Sequence, residues 1–236
     1  MKNKITLGVS SCLLGEKTRY DGAHTKDQFI TRVLGKWVEF ISVCPEVECG
    51  FGVPREPLRL VGDPGSPSLI SVYTRRDYTL PMLHWAQKRM LTLKEEDIWG
   101  VILKSKSPSC GIKRVKVYDK NGIAINQGRG LFARIFSEYF PLVPIVDEKE
   151  IHNPKTFKNF MDKIFVFRRW REFLEKNPSR GALIKFHTQQ KFFILARNPK
   201  QVSKMENVIA KFQNLLPEDK KKCGEKCLLD SRGKIS

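Results

Sequence analysis

The chain has 236 residues, 41% of them hydrophobic and 29% charged, which is enough to bury a core and is not the composition of a disordered chain. No apolar run approaches the roughly 18 residues of a membrane span, and the opening MKNKITLGVSSC, broken at Ser10 and Ser11, has no cleavage pattern of a signal peptide. A cytoplasmic protein with no membrane partner is expected. The six cysteines, Cys12, Cys44, Cys49, Cys110, Cys223 and Cys227, are too few and too scattered for a secreted disulfide framework.

Charge is uneven along the chain. The net +18 divides into +6 on residues 1–150, with 23 basic and 17 acidic side chains, and +12 on residues 151–236, with 20 and 8. A polyanion, most often nucleic acid, is the expected partner of such a surface.

Residues 4–9 (KITLGV) predict a first buried strand that runs into Ser10-Ser11-Cys12. A helix is expected over about 27–36, with Asp27 as its cap and Phe29, Ile30, Val33 and Leu34 on one face. Residues 37–43 (WVEFISV) predict a second strand ending at Cys44-Pro45, and the Gly- and Pro-rich stretch 50–70 reads as an extended loop. A helix at about 81–94 leads to a strand at 99–104 and a loop from Ser105 to Gly111. A strand at about 114–118, a helix at 130–139 and a strand at 142–146 follow. Strands alternating with helices predict an α/β domain with a mostly parallel sheet over residues 1–150. Beyond the break at His152-Asn153-Pro154, helices are expected at 155–176, 180–196 and 199–215, forming a smaller all-α basic domain over 155–216. The polar, lysine-rich stretch 217–236 is expected to be a disordered tail.

Cys12, Cys44 and Cys110 each lie just beyond the C-terminal end of a predicted strand. In an open parallel sheet those ends converge on the edge where such folds place their sites. Three thiolates suit zinc or an iron–sulfur cluster, and composition does not choose between them; three buried structural thiols are an equal alternative. Glu46 stands two residues after Cys44, and Ser107 and Ser109 stand beside Cys110. A carboxylate in that position is suited to proton transfer, if it is not simply an exposed loop charge.

The segments GVSSCLLGEKTRYDGAH (8–24), CPEVECGFGVPREPLRL (44–60), KSKSPSCG (104–111) and GRGLFAR (128–134) together resemble the iron–sulfur-dependent thiouracil and thiouridine desulfidases. The helical part, with RRWREFL (168–174) and GALIKFHTQQKFFILARNPK (181–200), resembles the domain appended in the tRNA 4-thiouridine desulfidases of that family. The resemblance implies a 4Fe–4S cluster on Cys12, Cys44 and Cys110, with Glu46 moving protons and Ser109 or Ser107 beside the substrate. It implies non-redox loss of sulfur from thiolated uracil in tRNA, with uridine and hydrosulfide as products. Free thiouracil or a thionucleoside as substrate is the nearest alternative, and a non-catalytic cluster-bearing RNA-binding or redox-sensing module is another. Arg19, Tyr20, Asp21 and Gly22 belong to the first motif, as pocket residues or as a structural turn.

Cys49 stands where the family more often has a small or aliphatic residue, and the Cys223–Cys227 pair lacks the second ligand pair of a zinc site. Arg168, Arg169, Arg171, Lys185 and Lys191 are the expected RNA-binding residues, since a dense basic surface gives salt-dependent, sequence-independent affinity. Phe160 and Phe186 between them read as helix core. His24, His84, His152 and His187 read as ordinary hydrogen-bonding residues.

Overall fold

In the computed structural model the described residues are 4–119, 121–176, 179, 181–182 and 185–186. The chain divides into two compact units, Met1–Ile164 and Phe165–Ser236. In chain order the first unit contains β1 (Ile5–Ser10), α1 (Ser11–Leu14), β2 (Val38–Val43), α2 (Pro45–Glu48), β3 (Leu58–Val61), β4 (Ser68–Ser71), α3 (Thr79–Glu95), β5 (Gly100–Leu103), β6 (Val115–Tyr118), β7 (Ala124–Gly128), α4 (Leu131–Tyr139) and β8 (Ile145–Asp147). Helix α5 (Pro154–Glu175) follows, and its opening turns belong to the first unit.

The first sheet has the order β2-β1-β5-β8 and every pairing in it is parallel. A central parallel strand is covered on both faces, so it reads as a continuous apolar run. Accordingly Leu7, Val9 and Ile102 are fully buried. Against them lie Leu13, Ile30, Phe160 and Ile164. Gly100 lets α5 approach, since a Cβ there would stand 2.9 Å from the Phe160 ring and 3.0 Å from Ile164. Asn153 caps α5 by accepting the Lys155 and Thr156 amides at 3.0 and 3.1 Å, with Pro154 at the first helical position. The α/β fold with a mostly parallel sheet is therefore as the sequence implies.

The second sheet was not expected. Its order is β4-β3-β6-β7, with β3 parallel to β6 and the outer pairs antiparallel. Two of its strands lie in the stretch 50–70 that reads as a loop, and β7 lies between two predicted elements. The physical reason is short alternation: Leu60 and Leu69 point into a core with Met82, Val115, Val117 and Leu131, while their neighbours are half-buried. Four-residue strands around Gly62-Asp63-Pro64-Gly65 carry too little period-two signal to stand out from the turn residues.

The helix expected over 27–36 is a wide π-type turn, Phe29–Val33, followed by a tight turn of 3₁₀ helix, Leu34–Lys36. Asp27 caps it as expected, accepting the Ile30 amide at 3.0 Å. Ile30 and Leu34 are buried, but the changed winding leaves Val33 47% exposed, off the predicted face.

In the second unit Phe173 stacks with Phe186 (ring centroids 4.8 Å apart) and with Trp170, which is buried. Residues 181–182 and 185–186 are helical. The remainder of the helices expected at 180–196 and 199–215, and the tail, lie outside the described residues. Among the described residues no helix is long and apolar enough to cross a membrane.

Candidate functional site

Because β1 lies between β2 and β5, the residues following these three strands meet at one edge of the sheet. Cys12 sits in α1 directly after β1, Cys44 caps α2 directly after β2, and Cys110 ends the loop that follows β5. All three line one cavity of about 350 Å³, together with Glu46. Burial pushes the Cys12 and Cys44 thiols above their ordinary pKa. The Cys110 thiol is raised furthest, first by burial and then by the nearby Cys44, Cys12 and Glu46, against a hydrogen bond with Ser10. A group that holds thiols this way must supply enough positive charge to take them as thiolates.

Among the described residues that line the cavity, Glu46 is the one carboxylate, beside five cations that include Arg55, Lys104 and Lys106. Its two oxygens have separate partners. Oε2 accepts from Arg55 Nη2 at 2.6 Å and Nε at 2.9 Å, and Oε1 accepts from Ser109 Oγ at 2.8 Å. Arg55 is itself fixed by donating to the Thr18 carbonyl at 3.0 Å and the Gly52 carbonyl at 2.8 Å. The 44–60 segment thus folds back so that its own arginine clamps its own glutamate.

Residues 7–148 match the 2-thiouracil desulfurase family. The chain belongs to that family. It is 36% identical over 108 residues to the uncharacterized protein YbbK of Bacillus subtilis (strain 168), an overlap of 44% of this chain and 71% of that protein. The fold is similar to that of a solved [4Fe-4S]-dependent thiouracil desulfidase, TudS, at 23% identity and a TM-score of 0.50, over 68% of this chain and 99% of that one.

Within this desulfurase-family unit the two candidate serines have different surroundings. Ser109 is fully buried behind Glu46 and does not reach the cavity wall. Ser107 lies on the wall and organises the loop, its Oγ accepting the Ser109 amide at 3.2 Å and the Cys110 amide at 3.0 Å. The fourth motif, 128–134, completes the loop from behind. The Gly130, Leu131 and Ala133 amides, otherwise unpaired at the start of α4, donate to the carbonyls of Gly111, Pro108 and Ser109. Only a glycine fits at 130, because a Cβ there would stand 2.4 Å from the Ser109 carbonyl oxygen.

Arg19 and Tyr20 line the cavity, with the Arg19 guanidinium 5.5 Å from the Tyr20 ring centre and paired to Asp21. Gly22 adopts φ of +73° in the same turn. Cys49 is partly buried at the end of α2 and does not line the cavity. His152 pairs with Asp27 at 2.7 Å, and His24 accepts the Lys26 amide through Nδ1 at 3.2 Å. Arg55, the clamp on Glu46, was not singled out in the sequence. Its only signal there was its place inside the second motif.

On α5, Arg168 pairs with Glu172 at 2.8 Å, Arg169 is exposed, and Arg171 lies 5.7 Å from the Phe167 ring centre. Lys185 is exposed and Lys191 lies outside the described residues. Phe160 enters the core of the first unit, as expected, and Phe186 packs on rings of the second.

Proposed function

We propose that this protein is a cytoplasmic, 4Fe–4S-dependent desulfidase that converts thiolated uracil, foremost 4-thiouridine in tRNA, to uracil and hydrosulfide. The observation that carries the reading is the convergence of Cys12, Cys44 and Cys110 on one cavity whose single carboxylate, Glu46, is held at both oxygens.

The residues present fit such a cluster. Among the described residues no group of three or more His, Cys, Asp or Glu is arranged to hold one metal ion. The three thiols are spread around a cavity instead, which suits a polynuclear group with soft sulfur ligands. Thr18 lines the same cavity, and its hydroxyl bears on the Cys44 thiol, where it favours the thiolate that such a group requires. When bound, a cluster with three protein ligands supplies an open, sulfur-seeking iron that polarises the thiocarbonyl.

The chain's own groups do the rest. Water adds its oxygen at the carbon that bears sulfur, the sulfur departs as hydrosulfide, and no electron is gained or lost. Glu46, on the cavity wall, accepts the water proton on its carboxylate and delivers it to the departing side. Ser109, buried behind Glu46, orients the carboxylate, and Ser107 holds the Cys110 loop while presenting its hydroxyl on the wall. The cations on that wall favour a substrate that develops negative charge on sulfur.

The tRNA assignment rests on charge and on the 155–216 segment, with Arg168, Arg169, Arg171, Lys185 and Lys191 as its RNA-binding residues. A free thiobase is the second reading. The cavity volume favours it, since about 350 Å³ lies at the lower end of small-ligand pockets. Anaerobic reconstitution with iron and sulfide, followed by incubation with tRNA carrying 4-thiouridine, tests the proposal. Sulfide release from tRNA, lost in Glu46→Ala with the cluster absorbance retained, is the expected result. Equal or greater turnover of free thiouracil would favour the second reading, and a stable cluster without turnover on either would overturn both.

A further inference from the structure

Consecutive residues of the second motif serve two different places. Arg55 points to Glu46 at the cavity, whereas Glu56 reaches the connection between β4 and α3. One Glu56 oxygen accepts the amides of Tyr73 and Thr74, each at 2.7 Å, and the other accepts Thr74 Oγ1 at 2.6 Å. Ser71 closes the same turn, with its Oγ 2.7 Å from Thr74 Oγ1 and 2.9 Å from the Arg76 amide. An Ile70–Asp77 bridge ties its base. The Thr74 hydroxyl and the Tyr73 and Thr74 amides outweigh burial and hold the Glu56 carboxyl below its ordinary range, so this anchor stays charged.

What this anchor orders is not core. Residues 73–77 are all exposed, and Tyr73 is 76% exposed. Arg75 adopts φ of +59°, which turns the chain sharply at the tip, and Arg76 lies 5.2 Å over the Tyr78 ring. Among the described residues neither arginine is in an ion pair. A surface turn fixed by five side-chain hydrogen bonds, while burying none of its own large side chains, is preorganised for something outside the chain. Its side chains are an aromatic face and two guanidinium groups, which suit bases and phosphates.

The turn also stands beside the site. Leu58 and Pro57 line the cavity, Leu58 pairs in register with Ser71, and the Val72 amide donates to the Pro57 carbonyl at 2.9 Å. Tyr20 and Arg19, a second aromatic–guanidinium pair, lie on the same wall, with the Tyr20 carbonyl accepting the Arg55 amide at 2.8 Å.

We propose that the turn Val72–Arg76 is an RNA contact of the desulfurase unit itself, in which Tyr73 stacks on an unpaired base and Arg75 and Arg76 hold phosphates of the strand entering the cavity. This rests on the reading that the substrate is RNA, and it adds a contact outside the basic helical segment. The contact needs no base identity, because every base has a face on which an aromatic ring can stack.

The test is equilibrium binding of an unmodified tRNA transcript to the full chain over a salt series, by fluorescence anisotropy. Tyr73→Ala is expected to weaken binding about tenfold with little change in the salt slope, because stacking releases no counterions. Arg75→Ala is expected to lower the slope of log affinity against log salt by about one. Tyr73→Phe keeps the stacking face and is expected to restore the affinity. Lys36→Ala, just before β2 and so at the end of that strand away from Cys44 and the cavity, is expected to change neither. Affinities of Tyr73→Ala and Arg75→Ala within twofold of the parent would overturn the proposal and leave the RNA reading standing. An equal loss in Lys36→Ala would overturn it in favour of diffuse charge. Failure of the parent to bind the transcript would remove the RNA reading and this contact together.

Discussion

Arg55 and Glu46, nine residues apart, are joined by two N–H donors on a single carboxylate oxygen, at 2.6 and 2.9 Å. The arginine side chain is 7% exposed and the glutamate side chain 14%. A charge pair so far from water loses most when one partner is removed, because the other remains buried alone. Arg55 is also bonded to two main-chain carbonyls, so it ties the first motif, the 50–55 turn and the carboxylate into one unit.

Replacing Arg55 is therefore expected to affect both stability and turnover. Arg55→Ala should lower unfolding free energy by about 3 kcal/mol, read from urea denaturation. Arg55→Lys keeps the charge but not the two-point grip on Oε2. Its expected effect is a fall of about 10- to 100-fold in kcat on a thiolated uracil substrate, with KM nearly unchanged. A wild-type kcat in Arg55→Lys would show that the orientation of Glu46 does not depend on this clamp.

Ser109 and Ser107 are expected to separate cleanly. Ser109→Ala leaves one buried oxygen of Glu46 without its donor, at a cost of about 1–3 kcal/mol. It should reduce turnover without releasing the cluster. Ser107→Ala instead removes the acceptor for the Ser109 and Cys110 amides, so cluster retention should fall first. Parallel measurement of iron content and turnover in the two variants distinguishes these outcomes.

Gly130→Ala tests the support behind the Cys110 loop. The added methyl meets main-chain atoms that cannot rotate away, at 2.4 Å from the Ser109 carbonyl oxygen and 2.9 Å from the Cys110 amide nitrogen. The loop must shift, and a loss of about 1–3 kcal/mol is expected. Cys110, 6% exposed in the parent, should then react faster with a thiol reagent in the cluster-free protein. Unchanged reactivity and stability would mean that α4 moves rather than the loop.

Glu148 links β8 to the start of the same loop. Burial alone would raise its carboxyl, but Lys104 and the amide and hydroxyl of Ser105 outweigh it and hold the pKa down. A carboxyl held below its unfolded value of about 4.3 stabilises the fold at higher pH. That contribution is lost as pH falls through the folded pKa. Glu148→Gln is accordingly expected to be less stable at pH 7 and to lose less further stability on acidification. Urea midpoints from pH 7 to pH 4 check the difference in slope.

The parallel sheet was legible because β1 and β5 are covered strands whose apolar runs end abruptly at Ser10 and Lys104, and because β2, at the edge, alternates until Cys44. Their endings place three cysteines at one edge without any knowledge of distances. The helices α3, α4 and α5 were equally plain, since each has enough turns for its spacing to register. Strands of four residues do not, and β3 and β4 disappeared among the glycines and prolines around them.

Residue types and the places where the main parallel strands end thus follow from the sequence by itself: thiols at one edge, a carboxylate next to one of them, and basic charge gathered toward the C-terminus. The tertiary structure alone decided which groups touch. It set Arg55 on Glu46, placed Ser109 behind that carboxylate from 63 residues away, and seated the start of α4 under the Cys110 loop. Periodicity records which side of an element is buried, an average over many neighbours. A hydrogen bond is a single pair held within about 3 Å, and that pairing exists only once the chain has closed on itself.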